Sequence, residues 1–204
     1  MKRAVFIVLA GLLGQNCAES DRVGIAYVRT IIHHRQQKDQ DYKRNNSPIP
    51  DEKLSQFQGL SYFDVDPDYR IAVELIRYDH PDSFDLITSR GEQRPAIRYG
   101  NVRFTLQNKQ QDLQVYQLLD IREQYPDHLF LPFLDKTSGQ ETYGGGRYVE
   151  LEADSSVAGR YILDFNLAYN PLCAYGRMIY RCPVPPQENR LDTAVRAGEK
   201  GWAH

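Results

Sequence analysis

The fold is decided by residues 69–78, which read YRIAVELIRY. Apolar and polar side chains alternate through most of this stretch, and β-branched and aromatic residues are frequent in it. A period of two with that content is typical of a β-strand. The residues His80-Pro81-Asp82-Ser83 favour a turn, so we expect the strand to end shortly before His80.

Similar short segments follow at regular spacing. Further strands are predicted at 97–106, 113–116, 129–133, 147–151 and 161–165. Gly100 indicates a bulge or turn, and Pro132 favours a sheet edge for its strand because proline lacks an N–H. The last two strands should form a hairpin across residues 154–156. About six to eight short strands at this spacing predict a mainly β domain, either an antiparallel barrel or a sandwich.

Residues 21–43 predict one N-terminal helix that covers the sheet. Val23, Tyr27 and Ile31 follow at four-residue steps, with Ile25, Val28 and Ile32 beside them. These spacings place one apolar stripe along a helix. We therefore predict an α+β arrangement in a single domain over residues 21–204.

The first twenty residues predict a signal peptide instead of a part of the domain. Lys2 and Arg3 precede an apolar run over residues 4–13. That run is shorter than the about 20 residues that span a bilayer, but it suits the core of a secretion signal. The alternative is a buried strand or helix that begins the domain. We expect an exported protein of the cell envelope, in the periplasm or anchored to a membrane.

Two cleavage routes remain open at the end of this signal. Cys17 directly follows the apolar region and resembles the lipidated cysteine of a lipoprotein, although Gln15 and Asn16 fit the expected box poorly. Ala18-Glu19-Ser20 supplies the small-x-small pattern of an ordinary signal peptidase site. We favour lipidation of Cys17, and we expect contact with a membrane only through that anchor.

The mature domain would keep two cysteines, Cys173 and Cys182, in a proline-rich loop. Export places them in an oxidising compartment, so an even pair predicts a disulfide. Free structural thiols and a reactive or metal-binding pair are the alternatives. Because no histidine lies near the pair and zinc usually takes four ligands, we predict no metal site.

Composition excludes some classes of function. The chain has 204 residues with a formal charge of -2, which gives no basic excess for nucleic acid. It contains 14 tyrosines, which suit half-buried strands and binding surfaces. No catalytic motif with a known order of residues is visible, and we expect no cofactor.

The unusual residues collect in the last third of the chain. Residues 141–148 read ETYGGGRY, and residues 166–189 form a long stretch with four prolines and little hydrophobic periodicity. Gly144, Gly145 and Gly146 allow a tight strand entry, and a glycine-rich turn can also hold an anion. We favour the strand entry, since no P-loop lysine follows.

Four segments resemble the signature of an uncharacterised bacterial and archaeal family, domain of unknown function 1684. They read ETYGGGRY, LDFNLAYNPLCAY, CPVPPQENRL and RAGEK, and FQGLSYF at 57–63 resembles an earlier block. The resemblance covers about residues 21–201. It implies that the unusual residues belong to a shared pattern, and it implies no activity.

These segments supply the candidate binding residues. They are Glu141, Tyr143, Gly144, Gly145, Gly146, Arg147, Asp164, Asn166, Tyr169, Asn170, Glu188, Asn189, Arg190, Glu199 and Lys200.

Three interpretations of these residues are open. They form a structural network that ties the long loop to the sheet, a site for a small polar ligand or peptide, or a catalytic site. In the binding interpretation, Tyr143, Arg147, Asn166, Tyr169 and Glu188 line one pocket at a barrel mouth. In the catalytic alternative, an envelope hydrolase pairs two carboxylates such as Asp164 and Glu188.

Overall fold

A computed structural model describes the backbone of residues 13–44 and 47–202, with side chains from residue 24 onward. This part of the chain contains a long helix α1, a short helix α2 and seven strands. The helices are α1 (Leu13–Tyr42) and α2 (Asp51–Leu54), and the strands are β1 (Arg70–Arg77), β2 (Ser83–Ile87), β3 (Gln93–Leu106), β4 (Lys109–Leu118), β5 (Phe130–Phe133), β6 (Arg147–Ala153) and β7 (Arg160–Asp164).

The strands confirm the prediction of a mainly β fold and select the barrel. All pairings between named strands are antiparallel, in the order β1-β7-β6-β5-β4-β3-β2, and β1 also pairs with β3. That pairing closes six strands into a barrel and leaves β2 as an extra strand on β3. The interior holds fully buried apolar side chains such as Val102, Leu131 and Leu163.

Gly100 lets β1 and β3 approach closely enough to pair and close the barrel. The register of β3 against β4 shifts between Arg98 and Gly100, which is the bulge that the sequence allowed. A Cβ atom at Gly100 would lie 2.4 Å from the carbonyl oxygen of Ile76 on β1. Only glycine lets the two backbones approach this closely where β1 meets β3.

The predicted edge position of residues 129–133 is wrong. β5 is an internal strand of the barrel wall, between β4 and β6, but Phe130 is its only residue paired with β4. Beyond that pair, the amide of Asn189 donates to the carbonyls of Gln114 and Pro132 at 2.9 and 2.8 Å and accepts from the Gln114 N–H. Because the Asn189 side chain replaces the backbone hydrogen bonds between β4 and β5 there, Pro132 needs no N–H toward β4.

Helix α1 starts earlier and packs differently than the apolar stripe indicates. It begins at Leu13, where the prediction began at residue 21, and it ends at Tyr42. Ile31 is buried, but Ile25 and Ile32 are 53% and 44% exposed. The predicted cover over the barrel is therefore present, but its contact face is narrower than predicted and contains polar residues.

The signal-peptide prediction falls mostly outside the described part of the chain. Residues 1–12, with Lys2, Arg3 and most of the apolar run, are not described, and neither are the side chains of Cys17, Ala18, Glu19 and Ser20. Within 13–44 and 47–202, no helix is both long and apolar enough to cross a bilayer. Cleavage, lipidation and export remain predictions.

Cys173 and Cys182 are paired, as predicted. Their sulfur atoms lie at disulfide distance and their Cα atoms are 6.2 Å apart. Cys182 belongs to a buried cluster on the outer face of the barrel with Leu86, Tyr116 and Phe130. The bond therefore holds the long loop against this cluster.

Adding a reductant should lower the free energy of unfolding by about 2–3 kcal/mol, because opening so short a loop restores entropy to the unfolded chain. Denaturant titration of the purified domain with and without reductant measures the change. The double variant Cys173→Ala/Cys182→Ala is the control and should not respond. Intact mass without reductant should be two hydrogens below that of the reduced protein, and an equal mass would contradict the pairing.

Candidate functional site

A cleft of about 430 Å³ lies between helix α1 and the barrel, and we call it the α1 cleft. One wall comes from the last three turns of α1, and the other comes from β6, the segment 166–169 and Glu199. The polar side chains that line it are His34, Arg35, Gln37, Lys38, Asp41, Tyr42, Tyr62, Glu150, Glu152, Asn166, Tyr169 and Glu199.

Glu199 is the buried charge at the base of the cleft. The residue is 1% exposed, and its Oε1 accepts a hydrogen bond from Lys38 Nζ at 2.5 Å. Its Oε2 accepts from the Tyr175 hydroxyl at 2.5 Å and from the Asn170 N–H at 2.8 Å. Such charge-assisted bonds offset the desolvation of a carboxylate. Glu199 therefore joins α1, the long loop and the C-terminal segment at one point.

Aromatic rings of the cleft already face the protein's own cations. The Lys38 ammonium lies 5.3 Å from the ring centre of Tyr42 and 4.9 Å from that of Tyr169. The Arg35 guanidinium lies 4.6 Å from the ring centre of Tyr62. These cation–π contacts fix the orientation of both cations relative to the barrel.

Two buried hydrogen-bond donors, on residues that line the cleft, lack a partner among the described residues. Arg35 donates through Nη1 to the Phe63 carbonyl at 2.8 Å and through Nη2 to the Asn166 carbonyl at 3.3 Å. Its Nε and the stacked Tyr62 hydroxyl are buried and bind no described protein atom. Burial, followed by the Glu199 carboxylate, raises the pKa of Tyr62, so its hydroxyl stays protonated at neutral pH.

Glu150 lies on β6 at the side of the cleft. Its Oε1 accepts from the Tyr169 hydroxyl at 2.6 Å and lies 3.3 Å from His128 Nε2. Burial alone would raise the pKa of Glu150, but the hydrogen bonds from His128 and Tyr169 lower it overall. Glu150 is therefore ionised at neutral pH and adds a negative charge to this wall.

Asp164 and Asn166 attach α1 and the entry of β1 to the end of β7. Asp164 accepts from the Tyr27 hydroxyl at 2.8 and 2.9 Å and from the Asn166 N–H at 3.0 Å. The Asn166 side chain accepts from the N–H of Asp66 and donates to its carbonyl. Both residues are buried and bonded as a structural network requires.

Arg147 has a purely internal environment. It is 1% exposed, and its Nη2 donates to Asp135 at 3.0 Å and to the Val195 carbonyl at 2.7 Å. Its Nη1 donates to the carbonyls of Ala197 and Glu199 at 2.5 and 3.1 Å. The guanidinium thus holds the C-terminal segment against β6, and it does not line the α1 cleft.

Glu188 and Asp164 belong to different networks. Glu188 accepts from Arg98 at 3.1 Å and from the Tyr116 hydroxyl at 2.9 Å, on the β3–β4 side of the barrel. Asp164 bonds to Tyr27 and Asn166 and shares none of these partners. The two carboxylates named for the hydrolase alternative are therefore not brought together by hydrogen bonds.

The remaining candidates lie in turns and at the surface. Glu141 forms an exposed ion pair with Arg196, and Lys200 lies 5.0 Å from the Phe63 ring centre. Tyr143 and the three glycines form the turn into β6, in which the Gly146 N–H donates to the Tyr143 carbonyl and Gly146 has φ +86°. The Arg190 side chain is exposed.

The structure therefore brings only part of the predicted site together. Among the five residues expected at one pocket, Asn166 and Tyr169 line the α1 cleft, where Glu199 joins them. Tyr143, Arg147 and Glu188 lie elsewhere. Sequence reasoning missed Arg35, Lys38, Tyr62 and Glu150, and it missed Asp135 as the partner of Arg147.

The helix residues that sequence reasoning missed could have been found from their spacing along α1. Tyr27, Ile31, Arg35, Lys38 and Tyr42 follow at steps of four, four, three and four residues, so they share one helix face. Two cations on the face that carries the buried Ile31 indicate a polar docking surface.

The fold and site define a closed antiparallel barrel with a polar cleft under an N-terminal helix. The chain belongs to the family described as protein of unknown function DUF1684, whose model matches residues 55–200. This confirms the family resemblance that the signature segments carry, and helix α1 lies before the matched range.

A solved structure supports the same assignment. The chain is 40% identical to an uncharacterised protein of Haloarcula marismortui, determined by solution NMR. The match covers 88% of this chain and 97% of that chain, with a TM-score of 0.67. No curated protein matches the chain.

Arg147→Met should destabilise the domain by about 3–5 kcal/mol, because it leaves the buried Asp135 carboxylate without its counterion. Urea unfolding measures the difference. Glu141→Gln is the control: it removes the exposed ion pair with Arg196 and should change stability little. Equal effects of the two variants would contradict a structural role for Arg147.

Proposed function

We propose that the protein is a binding module that takes a small polar ligand with an anionic oxygen group into the α1 cleft. The observation that carries the proposal is the pair of unpartnered donors, Arg35 Nε and the Tyr62 hydroxyl, on stacked side chains in the cleft wall. A buried donor without a partner costs free energy, and a ligand oxygen would recover it.

The charge of the pair favours an anion over a neutral ligand. Although burial lowers the pKa of Arg35, a guanidinium stays protonated at neutral pH. Lys38 is already neutralised by Glu199, so its charge is engaged inside the protein. Arg35 has no ion pair among the described residues, and its contacts are to carbonyl oxygens. A carboxylate or phosphate would supply the missing negative charge.

Titration with acetate, hexanoate and inorganic phosphate, followed by ¹⁵N-edited NMR, tests the proposal. We expect the largest shifts at Arg35, Tyr62 and Asn166. Tyr62→Phe should weaken binding about tenfold, since it removes one hydrogen bond to a charged group. Tyr125→Phe changes an exposed ring away from the cleft and should bind as the unchanged protein does. Absence of shifts for all three anions would overturn the proposal.

We also propose that this module acts in the cell envelope. The support is the sequence of residues 1–20, with a basic start, an apolar run over residues 4–13 and Cys17 shortly after it. A binding module with one disulfide also suits an oxidising compartment.

Expression of the full chain in a bacterium, with radioactive palmitate labelling and fractionation, tests export and lipidation together. We expect label in the membrane fraction and its loss in Cys17→Ser. Ser20→Leu disrupts the competing cleavage site and should leave the label in place. If Ser20→Leu blocks maturation instead, the protein is secreted without lipid, and an unprocessed cytoplasmic chain would contradict export.

The hydrolase alternative gains no support from Asp164 and Glu188. Asp164 serves as an acceptor for Tyr27 and Asn166, and Glu188 is bound by Arg98 and Tyr116. We therefore do not propose catalysis by this pair.

A further inference from the structure

A second cavity of about 400 Å³ lies on the other side of β6 residues Glu150 and Glu152. It is bounded by residues 126–129 before β5, by Tyr99 in the middle of β3 and by Tyr161 near the start of β7. Glu150 and Glu152 line both this cavity and the α1 cleft. The two spaces are therefore neighbours with a shared wall of two carboxylates.

The two cavities differ in the charge that is left without a partner. The α1 cleft holds Arg35, which forms no ion pair among the described residues, and Lys38, which is paired with Glu199. Its other charged lining residues are the carboxylates Asp41, Glu150 and Glu152. The second cavity contains the carboxylates of Asp127, Glu150 and Glu152, and no Lys or Arg is among the described residues that line it. A ligand that spans both would meet the unpaired Arg35 guanidinium at one end and carboxylates at the other.

The negative charge of the second cavity is only partly compensated. Glu150 is bound by His128 and Tyr169, whereas Asp127 and Glu152 form no ion pair with any residue in the described ranges. His128 lines the cavity with its Nδ1 buried and without a partner in the described chain. The rings of Tyr99 and Tyr161 add faces that attract cations, and Leu129 and Leu151 add apolar surface.

We propose that the α1 cleft and the second cavity form one groove for a bipolar ligand, with an anionic oxygen group at Arg35 and Tyr62 and an ammonium group at Glu152 and Asp127. An apolar chain between the two groups would pass along the side chains of Glu150 and Glu152, which line both cavities. This inference rests on the proposed function, because it assigns the anionic end to the same donors. The class of ligand is an amino acid with separated charges or a short peptide.

A series of ω-amino acids tests the bipolar groove. Glycine, 4-aminobutyrate, 6-aminohexanoate and 8-aminooctanoate are titrated into the domain and followed by NMR, with hexanoate and hexylamine as the single-charge controls. We expect affinity to pass through a maximum with chain length. At that maximum, the amino acid should bind at least about fivefold more tightly than the alkanoate of equal length.

Glu152→Gln locates the ammonium end. It should abolish the gain of the amino acid over the alkanoate. Hexanoate binding should not weaken, because the variant removes a negative charge from the cleft in which the carboxylate binds. Glu123→Gln, an exposed carboxylate outside both cavities, is the matched control and should keep the gain. The NMR spectrum of each variant reports whether it is folded.

The outcomes separate the two proposals. If hexanoate binds at Arg35 and Tyr62 but the amino group adds no affinity, the bipolar groove is wrong and the anion site stands. If no alkanoate and no amino acid binds, the bipolar groove is wrong, and if inorganic phosphate does not bind either, both proposals are wrong. If the gain survives Glu152→Gln, the ammonium does not lie in the second cavity.

Discussion

The buried carboxylate of Glu199 is the interaction on which the cleft depends. A carboxylate that is 1% exposed must be paired and hydrogen-bonded, because its desolvation costs several kcal/mol. Lys38, Tyr175 and the Asn170 N–H meet this requirement together. Since they come from α1 and from the long loop, satisfying one charge places the helix at a defined position above the barrel. The wall of the cleft follows from that position.

The polar docking of α1 also explains why a cleft remains. Apolar side chains pack to near crystal density, but charged groups require directional partners and leave space between them. Tyr27, Arg35 and Lys38 contact the barrel through hydrogen bonds, and among the apolar residues of the predicted stripe Ile31 alone is fully buried in the described part of α1. The same contacts leave Arg35 Nε and the Tyr62 hydroxyl without partners. The two unpartnered donors are thus a consequence of how the helix is held.

The sequence predicted a mainly β fold, a barrel or a sandwich, because a strand needs only a local period of two, and the structure selected the barrel. Residues 69–78 and 161–165 gave strands at nearly their observed bounds. It missed β2, where Phe84 and Leu86 follow directly after the turn residues His80-Pro81-Asp82-Ser83 and too few residues remain to show a period. It misplaced β5 because the amide of Asn189, distant in sequence, replaces backbone bonds at Pro132. A side chain that replaces backbone hydrogen bonds from a distant point in the sequence leaves no local pattern.

The candidate site was harder to predict because unusual residues in the signature segments mostly serve the architecture. Arg147 and the RAGEK segment form one unit, in which the guanidinium binds the carbonyls of Ala197 and Glu199. Asn189 completes the barrel wall in the same way. Arg35 and Lys38, by contrast, resemble the solvent-facing charges of any surface helix, and only their register with Ile31 indicates otherwise.

The signature segments and the cations of α1 also differ in their position relative to the range that the family model matches. The matched residues 55–200 include the barrel, Glu199, and the acidic side of the groove at Glu150 and Glu152. The cations Arg35 and Lys38 lie on α1, before that range. In this chain the carboxylates of the proposed groove therefore lie within the matched range, whereas the proposed anion-binding end is supplied by a helix that precedes it. Ligand preference can then change with α1 while the barrel stays the same, provided that a cation still compensates Glu199.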